Sequence, residues 1–155
     1  MKDLEKVRDI MIEKHLKARG VTDSVVLEAM TQVPREAFLP EAMAEFAYED
    51  SPLPIAEGQT ISQPYIVALM VEALNLEADD SVLEIGARSG YAAAVIRHIA
   101  GQVYVVERHQ ELVDEAERRY SKLGYDNIHL KVADGTRGWC EHGPYQAILV
   151  SAGGA

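Results

Sequence analysis

The chain has 155 residues, enough for about one domain with a sizeable core. Its 25 Asp and Glu against 15 Lys and Arg leave a formal charge of -10, which repels nucleic acid and anionic membrane surfaces and argues against a polyanionic partner. The charged N-terminus has no apolar leader core and no run is long enough to span a bilayer, so a cytoplasmic protein is expected. Cys140 is the only cysteine; it reads as a structural or buried thiol rather than a catalytic one.

Leu4, Val7, Ile10, Met11 and Ala18 fall at helical spacing, and Gly20 ends this first amphipathic helix. Thr22 or Asp23 caps a second, whose apolar face is Val26, Ala29, Met30 and Val33, until Pro34 stops it. Residues 34–40 form a punctuated connection, Glu41 to Tyr48 reads as a short helix, and residues 49–60, with Pro52, Pro54 and Gly58, as an extended loop. Ser62 is placed to act as N-cap, with Pro64 in the first turn, for a helix whose face is Val67, Met70, Val71 and Leu74. An acidic turn, residues 76–81, follows.

Val82 to Ile85 is a short apolar run broken only by Glu84 and followed at once by Gly86, the pattern of a buried parallel strand ending in a tight turn. From about Gly90 the spacing of Tyr91, Ala94, Val95 and His98 predicts a helix, stopped by Gly101; Val103 to Val106 is the next strand, closed by Glu107. An acid about twenty residues after the glycine turn is where a Rossmann-like unit grips ribose hydroxyls. The turn lets a ligand lie against bare backbone, and the helix start offers unpaired N–H groups. This is a nucleoside site.

Leu112, Ala116, Tyr120 and Leu123 mark a charged surface helix ended by Gly124. Ile128 to Val132 is a third strand with Asp134 and Gly135 beyond its tip, and Gln146 to Val150 a fourth, leading to Ser151 and the tail to Ala155. Alternating strands and helices predict an α/β fold, a mainly parallel sheet with helices on both faces and ligands beyond the strand C-termini. No Gly-Lys-Ser or Gly-Lys-Thr follows the turn, which disfavours a P-loop nucleotidase. His15, His98, His109, His129 and His142 show no paired ligand spacing, so no metal is expected.

Gly58 to Tyr65, Val82 to Gly86 with Ser89 to Tyr91, Val106-Glu107, Leu123 to Tyr125, Asp134-Gly135 with Gly138-Trp139, and Val33 to Phe38 together resemble the protein-L-isoaspartate O-methyltransferase family. The resemblance implies a class I methyltransferase fold that uses S-adenosylmethionine to esterify the α-carboxyl of L-isoaspartyl residues in damaged proteins. It divides the chain into an N-terminal helical segment, 1–57, packed on a cofactor-binding core, 58–155. Residue by residue, it makes Ser62 the active-site serine, with Thr60 and Ile61 in the loop covering cofactor and substrate. Gly86, Ser89 and Gly90 become the turn at the methionine end of the cofactor, Glu107 the ribose acid, and Asp134 with Gly135 the pair near adenine. A carboxylate is ionised at neutral pH, so Ser62 is expected to orient it without becoming a nucleophile.

Three positions depart from the family pattern. Arg88 stands where the turn usually has its middle glycine; turned outward it leaves cofactor binding intact, turned inward it lowers affinity. Gln146 replaces an acid, which weakens any role there in balancing the cofactor's charge. The family continues with further helices and three more strands, whereas this sequence stops at Ala155; either it is a piece of a longer protein or it pairs with another copy, and self-association through residues 146–150 is the expectation. The alternatives are a catalytically impaired relative that still binds S-adenosylmethionine or another nucleoside, and an interaction module that kept only the fold.

Overall fold

A computed structural model describes residues 3–151; the tail, residues 152–155, lies outside the described residues. The first helix begins as α1 (Leu4–Met11), capped by the Asp3 carboxylate on the Lys6 N–H. It then loosens into a π turn (Ile12–Leu16) and tightens into a 3₁₀ turn (Lys17–Arg19) before Gly20 closes it in the left-handed region at φ 100°. Asp23, one of the two expected caps, accepts from the Val25 N–H at 3.0 Å and opens α2 (Ser24–Gln32). Residues 35–38 make a short 3₁₀ turn, and the short helix read at Glu41 to Tyr48 is a 3₁₀ helix of two turns, Glu41–Phe46. The expected loop over residues 49–60 holds a hairpin, β1 (Leu53–Pro54) antiparallel to β2 (Thr60–Ile61), each too short to show alternation.

Helix α3 (Pro64–Leu74) starts one residue later than read from the sequence. Its N-cap is Gln63 with no side-chain bond of its own, Pro64 is the first helical residue, and the capping carboxylate comes from Asp50, which accepts from the Tyr65 N–H at 3.0 Å. Ser62 is thereby released from capping.

Strand β3 (Ser81–Ile85) lies at the centre of a four-stranded sheet in the order β5-β4-β3-β6, with β4 at Gln102–Glu107, β5 at Ile128–Val132 and β6 at Ala147–Val150. All three pairings are parallel. Alternation divides the side chains. Val82, Val103, Val105 and Leu149 enter one core with Met30, Phe38, Val67, the buried residues of α4 (Tyr91–Arg97), and Ala116 and Tyr120 of α5 (Gln110–Leu123). Helix α4 buries Tyr91 and all of Ala93 to Ile96, more than one face, because it is packed between the sheet and α2 and α3. It ends at Arg97, ahead of Gly101, whose N–H instead donates to the Asp80 carbonyl.

The opposite face is covered by the 3₁₀ turns Gly135–Arg137 and Cys140–His142. Tyr104 projects into it, stacked between His129 at 4.9 Å and His142 at 4.4 Å and edged by Trp139. Cys140 sits on this outer cover and is exposed, correcting the expectation of a buried thiol. The hydrophobic core runs without a break from Met11 to Leu149. No helix among the described residues is long and apolar enough to cross a membrane.

Candidate active site

Because the strands are parallel, β3, β4, β5 and β6 end together, at Ile85, Glu107, Val132 and Val150. The chain leaves β3 through Gly86 at φ 91°, crosses Arg88 at φ 49°, and enters α4 from Gly90 at φ 91°. Glycine is required at Gly90 twice over: its φ is left-handed, and an added Cβ would lie 2.6 Å from the Tyr120 hydroxyl, which donates to the Gly90 carbonyl at 2.8 Å. Ser89 is buried, its hydroxyl accepting from the Tyr91 N–H at 3.2 Å and its carbonyl from Arg119 at 2.9 Å.

Glu107 reaches this turn from the neighbouring strand. One carboxylate oxygen accepts from the Ala87 and Arg88 N–H groups at 3.1 and 3.4 Å, the other from the His109 backbone N–H at 2.7 Å, with His109 Nδ1 at 3.0 Å. At 4 % exposure it is braced by the protein itself. His109 escapes sequence reasoning because its role depends on the strand-tip bend that returns it to Glu107.

Asp134 caps the first 3₁₀ turn of the outer cover, accepting from the Thr136 N–H at 3.0 Å. A Cβ on Gly135 would fall 2.5 Å from Ile85 Cγ2, so the backbone there lies directly on the tip of β3. These residues border the strand tips as expected. Gln146 does not. Its side chain accepts from the Ser81 N–H at 2.6 Å, at the start of β3 and roughly 13 Å of strand from Ile85.

The loop carrying Thr60, Ile61 and Ser62 closes over the turn, and two arginines reach Ser62, one at its carbonyl and the other at its hydroxyl. Arg35, fully buried, donates to the carbonyls of Ala47, Glu49, Ser51 and Ser62. Burial pushes its guanidinium below the ordinary arginine value. Arg88 turns inward and brings Nη1 to 3.5 Å from both the Thr60 carbonyl and the Ser62 hydroxyl oxygen. Its Nε is buried with no hydrogen-bond partner among the described residues. A guanidinium cannot take a proton from the serine, so this contact gives Ser62 no base.

Beneath Arg88 lies Glu84, fully buried in β3. One oxygen accepts from the Ser151 hydroxyl; the other has no partner among the described residues. Burial pushes its carboxyl up to about 8, against the opposing pull of Ser151 and of the Arg88 charge. An acid inside an apolar strand is the sequence signal for this residue, but its partner is 67 positions away. Ile61, Ser62, Glu84, Arg88, Ser89 and Ser151 are among the residues enclosing a cavity of about 20 Å³, room for one water-sized group.

A central parallel strand, a glycine turn into a helix and an acid at the next strand tip define a Rossmann-like core of the class I methyltransferase kind. The model of the protein-L-isoaspartate(D-aspartate) O-methyltransferase family matches residues 6–155, and the chain belongs to that family. A relative from Pelobacter propionicus, protein-L-isoaspartate O-methyltransferase 2, is 57 % identical over 153 residues, covering 99 % of this chain and 68 % of the relative. A Rhodopseudomonas palustris protein-L-isoaspartate O-methyltransferase is 60 % identical over 144 residues, 93 % of this chain and 66 % of the relative. This chain thus spans about two thirds of their length. Among solved structures, a protein-L-isoaspartate O-methyltransferase superposes with a TM-score of 0.83 at 34 % identity, covering 94 % of this chain and 48 % of the other. A Plasmodium falciparum member, in complex with S-adenosyl-L-homocysteine, gives 0.77 at 25 %, covering 98 % and 74 %.

Proposed function

We propose that this chain carries the catalytic core of an enzyme that transfers a methyl group from S-adenosylmethionine to the α-carboxyl of L-isoaspartyl residues in damaged proteins. The observation that carries the reading is the convergence of the Ser62 loop and the Ala87–Ser89 turn on one cavity at the strand tips, with Glu107 bonded to the N–H groups of that turn from the next strand. When bound, S-adenosylmethionine supplies an electrophilic methyl group on a positively charged sulfur.

The residues fit that cofactor. Glu84 Oε1, buried and unpartnered beside the turn among the described residues, would answer an ammonium group by giving up the proton that burial holds on the carboxyl, and the 3.4 Å bond from the Arg88 N–H is the weakest brace on Glu107, the one ribose hydroxyls would displace. Asp134 and Gly135 would border the adenine, with Thr60 and Ile61 covering the methionine end. Ser62 is the residue we assign to orientation: released from helix capping and held through its carbonyl by Arg35, it offers a hydroxyl to the substrate carboxylate. An ionised carboxylate needs no general base, and none contacts Ser62 among the hydrogen bonds of the described residues.

The test is methyl transfer to an isoaspartyl peptide against its aspartyl isomer. Transfer confined to the isoaspartyl form is expected, and Ser62→Ala should reduce it roughly tenfold to a hundredfold without changing the melting temperature. Full activity in that variant removes Ser62 from the site. A second reading, a binder without turnover, is favoured by Arg88 lying across the narrow cavity; S-adenosylhomocysteine binding in calorimetry with no transfer would establish it.

We also propose self-association through β6, an edge strand whose outward Ile148 and Val150 are 56 % and 55 % exposed. A monomer at all concentrations in light scattering excludes it. The cytoplasmic location, and the division into a helical segment, 1–57, and a core, 58–155, belong to the same reading.

A further inference from the structure

Arg88 is placed differently from a solvated surface arginine. The turn sends its side chain back across the site, yet its hydrogen bonds are two contacts at 3.5 Å, both from one nitrogen. A guanidinium presents five N–H donors in a fixed fork, so most remain unspent. Its buried Nε is one of them. No ion pair of 4.0 Å or less neutralises it among the described residues. Glu84 below is protonated over much of the neutral range, since burial holds its carboxyl up to about 8. An uncompensated cation with free donors therefore sits beside a serine hydroxyl, on a cavity wide enough for one oxygen-sized group.

The complement of that arrangement is a carboxylate. One oxygen can face the guanidinium fork while the serine hydroxyl donates to the other, the charge-assisted geometry that arginine makes better than lysine. We propose that Arg88 and Ser62 form a two-point clamp for the carboxylate to be methylated, making Arg88 a substrate-specificity residue in this chain; the inference rests on the function proposed above. The positive charge also keeps the bound carboxyl group ionised as the pH falls.

The test is calorimetric titration of the full chain, saturated with S-adenosylhomocysteine, with an isoaspartyl peptide bearing a free α-carboxylate and with its α-carboxamide counterpart. The wild-type chain should prefer the carboxylate by about tenfold or more. Arg88→Gln should abolish that preference while the amide peptide binds unchanged, and Arg88→Lys should restore part of it. No preference in the wild-type chain, or an equal preference in Arg88→Gln, overturns the clamp. So does a variant that only tightens S-adenosylhomocysteine, which would make the arginine an obstruction. If Arg88→Gln weakens S-adenosylhomocysteine but not 5′-methylthioadenosine, which lacks the amino-acid end, the arginine serves the cofactor's own carboxylate and the proposal fails. A wild-type chain that shows the arginine-dependent preference but transfers no methyl refutes the enzymatic reading alone.

Discussion

Arg35 and Arg88 approach the same serine and have opposite characters. Arg35 is fully buried and gives both Nη nitrogens to four backbone carbonyls, from residues 47, 49, 51 and 62, leaving only Nε without a partner among the described residues, so its charge is spent on holding the helical segment against the Ser62 loop. Arg88 is half-buried and makes two long contacts. The contrast teaches that a buried arginine becomes architecture when carbonyls consume its donors, and remains available for recognition when they do not.

The largest expected effect comes from breaking the first arginine. Arg35→Met leaves four carbonyls without their charged donor and should cost roughly 3–5 kcal/mol in denaturant unfolding, whereas Arg88→Gln should stay within about 0.5 kcal/mol. Equal losses would erase the distinction. The acid under Arg88 comes next. The folded state raises the Glu84 carboxyl from 4.5 to about 8, so it holds a proton there that the unfolded chain releases. Its contribution is therefore present below about pH 4.5 and lost as pH rises through about 8. Melting temperatures measured from pH 5 to 9 should fall, and Glu84→Gln should remove roughly 2–4 kcal/mol of that dependence; parallel curves would show that Glu84 is ionised in the fold.

Gly90→Ala should cost roughly 2 kcal/mol, from the left-handed backbone and the approach to the Tyr120 hydroxyl. Thermal unfolding of the double variant with Tyr120→Phe, which removes that hydroxyl, separates the two causes. The smallest effect belongs to His109→Ala. It removes the side-chain partner of Glu107 for about 0.5–1 kcal/mol, and it should tighten S-adenosylhomocysteine a few-fold if ribose hydroxyls compete for that oxygen. Unchanged affinity in calorimetry would show that they do not.

The elements with periodic apolar faces were legible in the sequence. Helices α2, α3 and α5 and the four parallel strands follow from spacing, because burial of one face or two is what spacing records. The glycine turn and Glu107 were legible from their separation. What escaped depends on pairings between distant residues. Ser62 reads as a cap locally, yet Asp50 supplies the capping oxygen from 15 residues away. Arg35 stands in the family motif, but its acceptors lie 12 to 27 positions downstream. Gln146 reads as a departure that weakens a charge-balancing role, and only the register of β3 and β6 sets it beside Ser81. The direction of Arg88 was undetermined, since a loop residue's side chain is placed by what closes over it, here β2.

Arg88 holds φ 49°, a conformation that costs a side-chain-bearing residue about 1–2 kcal/mol and glycine almost nothing. Restoring glycine at that position should thus relieve local strain, offset in part by the greater freedom of glycine in the unfolded chain. Any weakening of substrate recognition in such a revertant would then appear in a molecule at least as robust as its parent, and could not be blamed on a damaged scaffold.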